Sequence, residues 1–345
     1  MTGTSNSQAL AAPATGPNAS PDWVEIILGP NDPSEVWRSI FSVLRNLALD
    51  LGKASAIDKA TILPDRLLAE SAWSLWDQFA ACAPSVIGGL KQFWVKAAPT
   101  GTAVLVLDAL SLRELPWIIK GARQRNITPT AIEVRGTETP TETDRFAAAL
   151  GLSGRSKLFN NAAPGSFVFG GEDTHTDVWD APFPDCVSLV PAAPRIFVWH
   201  KWPDEPLIHL YDRRDDGPEI VAKETMHQLT SDGFWNLVDR LRQGRRLVIT
   251  GDHGYAVSKS FSSEITDADT VKLLRETFGA RRCAVEPPDN PWPRRHLPPL
   301  VCRRDGRLMV MGQRKWPVQG GFPHLCHGGL SLLEAAVPFI ELPAI

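Results

Sequence analysis

The stretch Leu247–Gly254, LVITGDHG, constrains the fold of this chain more strongly than any other. Its first four residues are apolar or β-branched, which predicts a buried strand. Asp252 and His253 follow directly, and open α/β sheets place ligand-binding residues just past the carboxyl end of a strand. A neighbouring carboxylate and imidazole suit a divalent cation such as zinc. The alternative is a strand that ends in an ordinary polar turn, and these residues leave both interpretations open.

Strands and helices alternate along the second part of the chain. Three further apolar runs are predicted as strands, at 103–107, 130–134 and 195–199. Helices are predicted at about 112–125 and from the threonine-rich turn to Leu150. Strands that alternate with helices are typical of a parallel sheet. The sequence therefore predicts an α/β fold with a doubly wound, mostly parallel sheet flanked by helices.

The composition divides the chain into three parts. Residues 1–21 are polar and lack the charged start and apolar core of a secretory signal, so they predict a disordered leader. Residues 22–100 predict a helical N-terminal region, and residues 101–345 predict the α/β domain. Two loop-rich stretches, 153–193 and 256–316, are expected to be excursions that cover the edge of the sheet and select the substrate.

The N-terminal region is predicted to begin with a short strand at Trp23–Leu28. Helices are then predicted at about 34–51, 64–83 and 86–97. Their tryptophan and leucine faces are typical of a packed core. The alternative is that these faces form a surface that docks a partner protein.

The overall composition excludes several classes of protein. A chain of 345 residues with 43% hydrophobic content can bury a substantial core, and its net charge of −3 gives no global reason to bind nucleic acid or membrane. No apolar run approaches the roughly 18 residues of a spanning helix. Five scattered cysteines without a CxxC pair predict a reduced, cytoplasmic protein. The absence of GxxxxGK(S/T), GxGxxG and GxSxG motifs removes support for a nucleoside triphosphatase, a Rossmann dehydrogenase or a serine hydrolase.

Acidic and histidine side chains follow several of the predicted strands. Asp108 ends one strand, a loop with Asp204 and His209 follows another, and Asp252-His253 follows a third. His327 begins the last helix–strand unit. In a parallel sheet these ends meet at one edge, where the groups would repel and desolvate each other unless a cation neutralised them. The pattern predicts a metal site, and two ions about 3.5–4 Å apart would account for the number of ligands.

A hydroxyl group is predicted at the same edge. Thr143 lies after a strand and at the start of a helix, where free N–H groups favour a phosphoryl group. A threonine hydroxyl is a poor nucleophile at neutral pH, but metal coordination would lower its pKa. The alternative is that Thr143 is an ordinary helix cap.

Four motifs resemble the PglZ domain, which belongs to the alkaline-phosphatase-like superfamily. They are VLVLDALSLRE (104–114), PTETDRFAAAL (140–150), LVITGDHGY (247–255) and HGGLSLLEAAVPFIEL (327–342). Their order is that of the family, and the last motif is quite specific. The resemblance covers about 101–345, apart from the two excursions, and implies an alkaline-phosphatase-like fold.

The resemblance implies a ligand set for a first zinc ion and a reaction. Asp108, Thr143, Asp252 and His253 would hold this ion, with manganese or magnesium as alternatives to zinc. Thr143 would be the nucleophile of a phosphoesterase, attacking in line and forming a phosphothreonine that water then hydrolyses. A phosphodiester is the favoured substrate class, with nucleotides or oligonucleotides as candidates.

A second zinc site is implied by His327 with an aspartate and a histidine from the loop after the strand at 195–199. The superfamily usually has these two residues four positions apart. In this chain Asp204 and His209 are five apart, whereas Glu205 and His209 are four apart. Both pairings, and His200 as a third candidate, stay open at the level of sequence.

Several arginines are candidates for contacts with phosphate. Arg145 and Arg135 lie near Thr143 in sequence and could bind phosphate oxygens, although surface positions are the alternative. The pairs at 281–282, 294–295 and 303–304 could line a path for a polyanion, but a solvated face is the favoured interpretation.

The resemblance also implies a biological setting. PglZ domains occur with other proteins in bacterial phage defence of the BREX type. The second hypothesis for this chain is therefore a non-catalytic scaffold, in which residues 22–100 would dock partner proteins.

Overall fold

The computed structural model describes residues 21–96, 100–261, 265–289, 292 and 300–345. The predicted leader thus lies outside the described residues, apart from Pro21. Within these residues the strands are β1 (Gly101–Asp108), β2 (Ala131–Gly136), β3 (Thr174–Trp179), β4 (Arg195–Pro203), β5 (Arg245–Gly251), β6 (Ala256–Val257), β7 (Cys283–Val285), β8 (Val301–Arg304), β9 (Arg307–Val310), β10 (Leu325–Cys326) and β11 (Ala336–Leu342).

Helices occupy the N-terminal region and the connections between the strands. They are α1 (Trp23–Leu28), α2 (Pro33–Leu51), α3 (Ala54–Glu70), α4 (Ser74–Cys82), α5 (Val86–Val95), α6 (Leu115–Gln124), α7 (Thr143–Ala149), α8 (Phe183–Cys186), α9 (His209–Tyr211), α10 (Gly217–Thr230), α11 (Asp232–Arg242), α12 (Ala268–Phe278) and α13 (Leu332–Ala335). Shorter helical turns occur at Arg155–Asn161, Val187–Leu189, Asp204–Ile208 and Ser258–Phe261.

A six-stranded sheet in the order β2-β11-β5-β1-β4-β3 forms the centre of the molecule. Strand β1 pairs in parallel with β4 and β5, and β3 pairs in parallel with β4, whereas β11 runs antiparallel to both of its neighbours. The predicted mostly parallel α/β sheet is confirmed. Strands β1, β4 and β5 therefore end at the same edge, and β11 begins there.

Side chains of the central strands alternate between two apolar cores, one on each face of the sheet. In β1, Leu105 and Leu107 belong to one core, while Val104 and Val106 belong to the other. Successive side chains of a strand point to opposite faces, and a strand buried on both faces is apolar throughout. This double burial is the reason that the strands appear in the sequence as uninterrupted apolar runs.

The structure corrects three predictions for the N-terminal region. Trp23–Leu28 is a helix and not a strand, because Asp22 accepts a hydrogen bond from the Glu25 N–H at 3.0 Å and the buried residues are Trp23 and Ile27, four positions apart. The helix predicted at 64–83 is two helices, α3 and α4, and the first of them begins ten residues before Pro64. The third helix ends at Val95 rather than at residue 97.

The N-terminal helices are packed against the sheet. Trp37 and Ile40 of α2 lie in the same core as Leu105, Ile249 and Ile340 of the sheet. These helices therefore cover one face of the α/β core, and removal of residues 22–100 would expose it to water.

The two excursions contain regular structure. The first, at 153–193, includes β3, which extends the sheet beyond β4. The second, at 256–316, contains α12 and an antiparallel sheet in the order β7-β9-β8.

Asp65 of α3 is a buried contact between the N-terminal helices and the C-terminal motif. Its Oδ1 accepts a hydrogen bond from the Leu332 N–H at 2.7 Å, and its Oδ2 accepts one from Gln313 Nε2 at 2.6 Å. Burial raises the pKa of Asp65 from 3.8 to about 7, against the effect of these donors. The folded state thus favours the protonated Asp65 carboxyl. The stability that this preference contributes is present below about pH 4 and is lost as the pH rises to about 7.

Replacement of Asp65 by asparagine should remove this pH dependence. The stability of the wild type relative to Asp65→Asn is expected to fall by roughly 1 kcal/mol per pH unit between pH 5 and pH 7, since one pKa unit corresponds to about 1.4 kcal/mol. Urea denaturation at several pH values measures this difference. The prediction would be contradicted if the free energies of unfolding of the two proteins changed with pH by the same amount.

Candidate active site

Three strands deliver carboxylates to one edge of the sheet. Asp108 is the last residue of β1, Asp252 follows β5 directly, and Asp204 follows β4. Ala109 has a φ of 60°, in the left-handed region, and its N–H donates a hydrogen bond to Asp252 Oδ1 at 2.9 Å. Left-handed backbone at a residue other than glycine is strained and is concentrated at functional sites. The turn after β1 therefore ties Asp108 and Asp252 to each other.

Asp108, Asp252 and His253 form the first of two groups that could hold a metal ion. His253 Nε2 lies 3.6 Å from Asp108 Oδ1 and 3.6 Å from Asp252 Oδ2. His253 Nδ1 lies 2.9 Å from the Gly254 carbonyl oxygen, so its hydrogen is assigned to this bond. The assignment leaves the Nε2 lone pair directed at the carboxylates, which is the arrangement of a metal ligand.

Thr143 lies beside this group. Its Oγ1 is 3.3 Å from Asp108 Oδ1 and 3.4 Å from His253 Nε2. Thr143 is the first residue of α7, as predicted, and the N-cap position before it is occupied by Glu142. The structure thus places the hydroxyl among the predicted ligands, and the interpretation of Thr143 as a side-chain cap is not supported.

Asp204, His209 and His327 form the second group. Asp204 Oδ2 lies 3.5 Å from His209 Nε2 and 4.0 Å from His327 Nε2. The ring of His327 stacks on that of His253 with centroids 4.4 Å apart, so the two groups are neighbours. The chain from Asp204 to Ile208 forms a wide helical turn, which brings residues five positions apart to one side.

The other two candidates for this second group lie elsewhere. Glu205 forms ion pairs with Arg155 at 2.6 Å and with Lys201 at 3.4 Å. His200 is buried, with Nε2 at 3.0 Å from the Ala181 carbonyl oxygen, and its ring contacts Phe183. The structure therefore brings Asp204, and not Glu205 or His200, together with His209.

The electrostatics of the site favour a bound cation. Burial, followed by the charges of Asp252 and Asp204, raises the pKa of Asp108 well above its ordinary value. Burial and the neighbouring imidazoles lower the pKa of His327 well below its ordinary value. Among the described residues, Asp252 Oδ2 and Asp204 Oδ1 are buried without a hydrogen-bond partner. Unpartnered carboxylate oxygens and imidazole nitrogens form a donor set that fits zinc or a similar divalent ion.

A cleft of about 600 Å³ opens onto both groups. Arg155, from the first excursion, extends into it and forms ion pairs with Asp108 and Glu205. Sequence reasoning missed this residue, because a single arginine after a glycine in a loop gives no pattern that distinguishes it from a surface residue. The excursion at 153–193 thus contributes to the site itself.

The arginines predicted to bind phosphate do not line this cleft. Arg145 is two positions after Thr143 on α7, which turns its side chain by about 200°. It lies close enough to Glu138 to oppose the rise in pKa that burial causes there. Arg135 forms an ion pair with Glu133 at 2.7 Å and lies over the Phe339 ring. The position of Arg145 away from this cleft does not support its assignment to substrate, which stays a prediction.

The predicted solvated face of arginines is also wrong in part. Arg282 is fully buried and forms an ion pair with Glu334. Arg303 pairs with Glu286 at 2.6 Å, and the side chain of Arg303 is half exposed. Residues 294 and 295 lie outside the described residues.

Glu334 organises the C-terminal motif that carries His327. Its carboxylate accepts hydrogen bonds from the Gly329 N–H at 3.0 Å and from Ser331 Oγ at 2.6 Å, in addition to its ion pair with Arg282. Thr141 Oγ1 accepts a hydrogen bond from the Gly328 N–H at 2.9 Å, and Gly328 adopts a φ of 93°. The motif residues that are not candidate ligands thus fix the backbone beside His327.

The first motif is supported in a similar way from α3. Arg113 pairs with Asp58 at 2.6 Å and donates to the Tyr255 carbonyl oxygen at 2.6 Å. The Tyr255 hydroxyl donates to Glu114 Oε1 at 2.8 Å. These contacts join the turn after β1 to the turn after β5, and the N-terminal helices therefore help to position Asp108 and Asp252.

Comparisons with known proteins give only distant matches. No family model matches the chain, and no curated protein matches it, so the resemblance to PglZ stays a prediction. Similar solved structures include phosphonoacetate hydrolase from Sinorhizobium meliloti 1021 in complex with phosphonoformate, with 12% identity, 71% of this chain and 90% of that chain covered, and a TM-score of 0.40. Murine ectonucleotide pyrophosphatase / phosphodiesterase 5 matches with 11% identity, coverage of 71% and 88%, and a TM-score of 0.40. At these values the similarities do not assign an activity to this chain.

None of the described helices is both long enough and apolar enough to cross a bilayer.

Proposed function

We propose that this protein is a metal-dependent phosphoesterase in which the Thr143 hydroxyl is the nucleophile. The observation that carries the proposal is the position of Thr143 Oγ1, 3.3 Å from Asp108 Oδ1 and 3.4 Å from His253 Nε2, at the edge of a group that could hold a metal ion. In the proposal, Asp108, Thr143, Asp252 and His253 bind one ion. A second ion is bound by Asp204, His209 and His327.

Each part of the site has a chemical task in this proposal. Divalent ions, when bound, supply charge that stabilises an attacking oxygen and a phosphoryl group. The Thr143 hydroxyl loses its proton and its oxygen attacks phosphorus, the P–O bond to one alcohol breaks, and that alcohol leaves with a proton. Water then hydrolyses the remaining link between Thr143 and phosphorus. Asp108 is the nearest carboxylate to the Thr143 hydroxyl proton. Zinc is the preferred ion because the donor set mixes imidazoles with carboxylates.

A phosphodiester suits the cleft better than a monoester. Arg155 is the cation nearest to the first group, and it already bonds the carboxylates of Asp108 and Glu205. It can therefore balance little negative charge beyond the single charge of a diester. Nucleotides and oligonucleotides are the candidate substrates of this class.

Hydrolysis of bis-p-nitrophenyl phosphate tests the proposed function. The full chain with added zinc or manganese is expected to release p-nitrophenolate, and excess chelator should abolish the reaction because the ligands then lack their ion. p-Nitrophenyl phosphate provides the matched monoester and should react more slowly. Rates that are the same with metal, with chelator and without protein would contradict the proposal.

A role in phage defence, in the cytoplasm and together with partner proteins, is part of the proposal on the basis of the resemblance to PglZ. If the chain is instead a non-catalytic scaffold, it should not hydrolyse bis-p-nitrophenyl phosphate, since a scaffold needs neither a bound metal nor the Thr143 hydroxyl. Deletion of residues 22–100 does not test partner docking, because the N-terminal helices form part of the core.

A further inference from the structure

Cationic side chains line the cleft that opens onto the two metal-binding groups. Arg213 follows the loop of the second group, whereas Arg281 and Lys315 belong to the second excursion, and all three line the cleft. We propose that Arg281 and Lys315 bind a second anionic group of the substrate. The preferred substrate would then be a phosphodiester that carries a further phosphate, such as a phosphorylated nucleotide ester. This inference rests on the proposed function and names its substrate class.

Arg281 is a cation that the structure leaves available. Its side chain is exposed, and among the described residues no carboxylate lies within 4.0 Å of its guanidinium group. An exposed arginine at a cleft can hold a phosphate through two parallel hydrogen bonds. Arg281 is therefore free to contact a ligand at no cost to an existing ion pair.

Lys315 is a buried cation without an anionic partner. It is 1% exposed, its Nζ donates a hydrogen bond to the Ala280 carbonyl oxygen, and no described carboxylate lies within 4.0 Å of it. A buried ammonium group is costly unless it is paired. Because the bond to Ala280 holds the backbone next to Arg281, the two cations form one local unit at the cleft wall.

Most of the other charged side chains that line the cleft already have partners. Arg213 lies 3.8 Å from the Asp212 carboxylate and donates to the Gln319 carbonyl oxygen at 3.1 Å. Glu205 pairs with Arg155. Asp144 follows Thr143 in the chain, whereas the Glu142 carboxylate accepts a hydrogen bond from the Cys283 thiol. Among the described residues that line the cleft, Arg281 and Lys315 are thus the cations without a carboxylate contact, and they remain to bind a second phosphate.

The binding of two matched nucleotides tests the proposal. Isothermal titration calorimetry with the zinc-loaded full chain should give a Kd for thymidine 3′,5′-bisphosphate at least about tenfold lower than that for thymidine 5′-monophosphate, as expected for one charge-assisted contact. Arg281→Ala should reduce this ratio toward one, and Lys315→Met should do the same. Arg38→Ala, which removes an exposed arginine of α2, should keep the wild-type ratio.

Three results would overturn the inference: equal Kd values for the two nucleotides, no binding of either nucleotide, or a ratio that Arg281→Ala and Lys315→Met both leave unchanged. Arg281 is exposed, so its replacement does not disturb the core, and the test does not depend on the folding of the Lys315 variant. The hydrolysis assay separates this inference from the proposed function. A clear preference for the bisphosphate without any hydrolysis of bis-p-nitrophenyl phosphate would support the anion site and contradict the phosphoesterase.

Discussion

Replacement of Thr143 by alanine is expected to lower kcat for bis-p-nitrophenyl phosphate at least about 10³-fold, the scale of loss when a nucleophile is removed. The alanine side chain has no oxygen to attack phosphorus, and the remaining site can only bind and polarise the ester. The KM should change little, because the cations of the cleft are retained. Steady-state kinetics with zinc or manganese measure both constants.

Thr143→Ser is the matched control for this experiment. Serine restores the hydroxyl at the same position, so this variant should keep kcat within about tenfold of the wild type. The folding of both variants should be close to that of the wild type, since the hydrogen bonds of Thr143 Oγ1 to described residues are long, at 3.3 Å and 3.4 Å. An alanine variant as active as the wild type would exclude Thr143 as the nucleophile.

Replacement of Asp252 or Asp204 by asparagine should weaken the binding of one metal ion in each case. Each aspartate has a buried oxygen without a hydrogen-bond partner among the described residues, and each lies in a different group of candidate ligands. Loss of a ligand should reduce the affinity for that ion by more than the roughly 10²-fold that follows loss of an outer partner. Titration with zinc followed by elemental analysis should show one ion fewer per chain for each variant.

Glu205→Gln provides the control for the metal experiment. Glu205 lines the same cleft and neighbours Asp204 in sequence, but its carboxylate contacts Arg155 and Lys201. This variant should therefore retain the zinc content of the wild type. Loss of an ion from Glu205→Gln, with none from Asp204→Asn, would show that the pairing of Glu205 with His209 is the functional one.

The sheet and the grouping of the acids could be predicted because both depend on local patterns. Apolar β-branched runs identify strands that are buried on both faces, and the polar residues after Leu107 and Gly251 must then lie at one edge. The positions of Asp108 and Asp252 followed from this rule, whereas that of Thr143 depended on its place after a strand and at the start of a helix.

The remaining features depend on contacts between distant parts of the chain. Spacing alone could not choose between Asp204 and Glu205, since the wide turn from Asp204 to Ile208 decides which side chain faces His327. Arg155 reaches Asp108 across 47 residues, and Arg282 is buried where the Glu334 carboxylate and the Gly312 carbonyl oxygen accept its hydrogen bonds. The helix at Trp23–Leu28 resembles a strand in sequence because its six residues are too few to establish a period.

The most direct measurement is a crystal structure of the zinc-soaked protein with anomalous data collected at the zinc edge. The account predicts two anomalous peaks, one bound by Asp108, Asp252 and His253 next to the Thr143 oxygen, and one bound by Asp204, His209 and His327. Crystals of the folded, zinc-soaked protein without a peak at either group would contradict it.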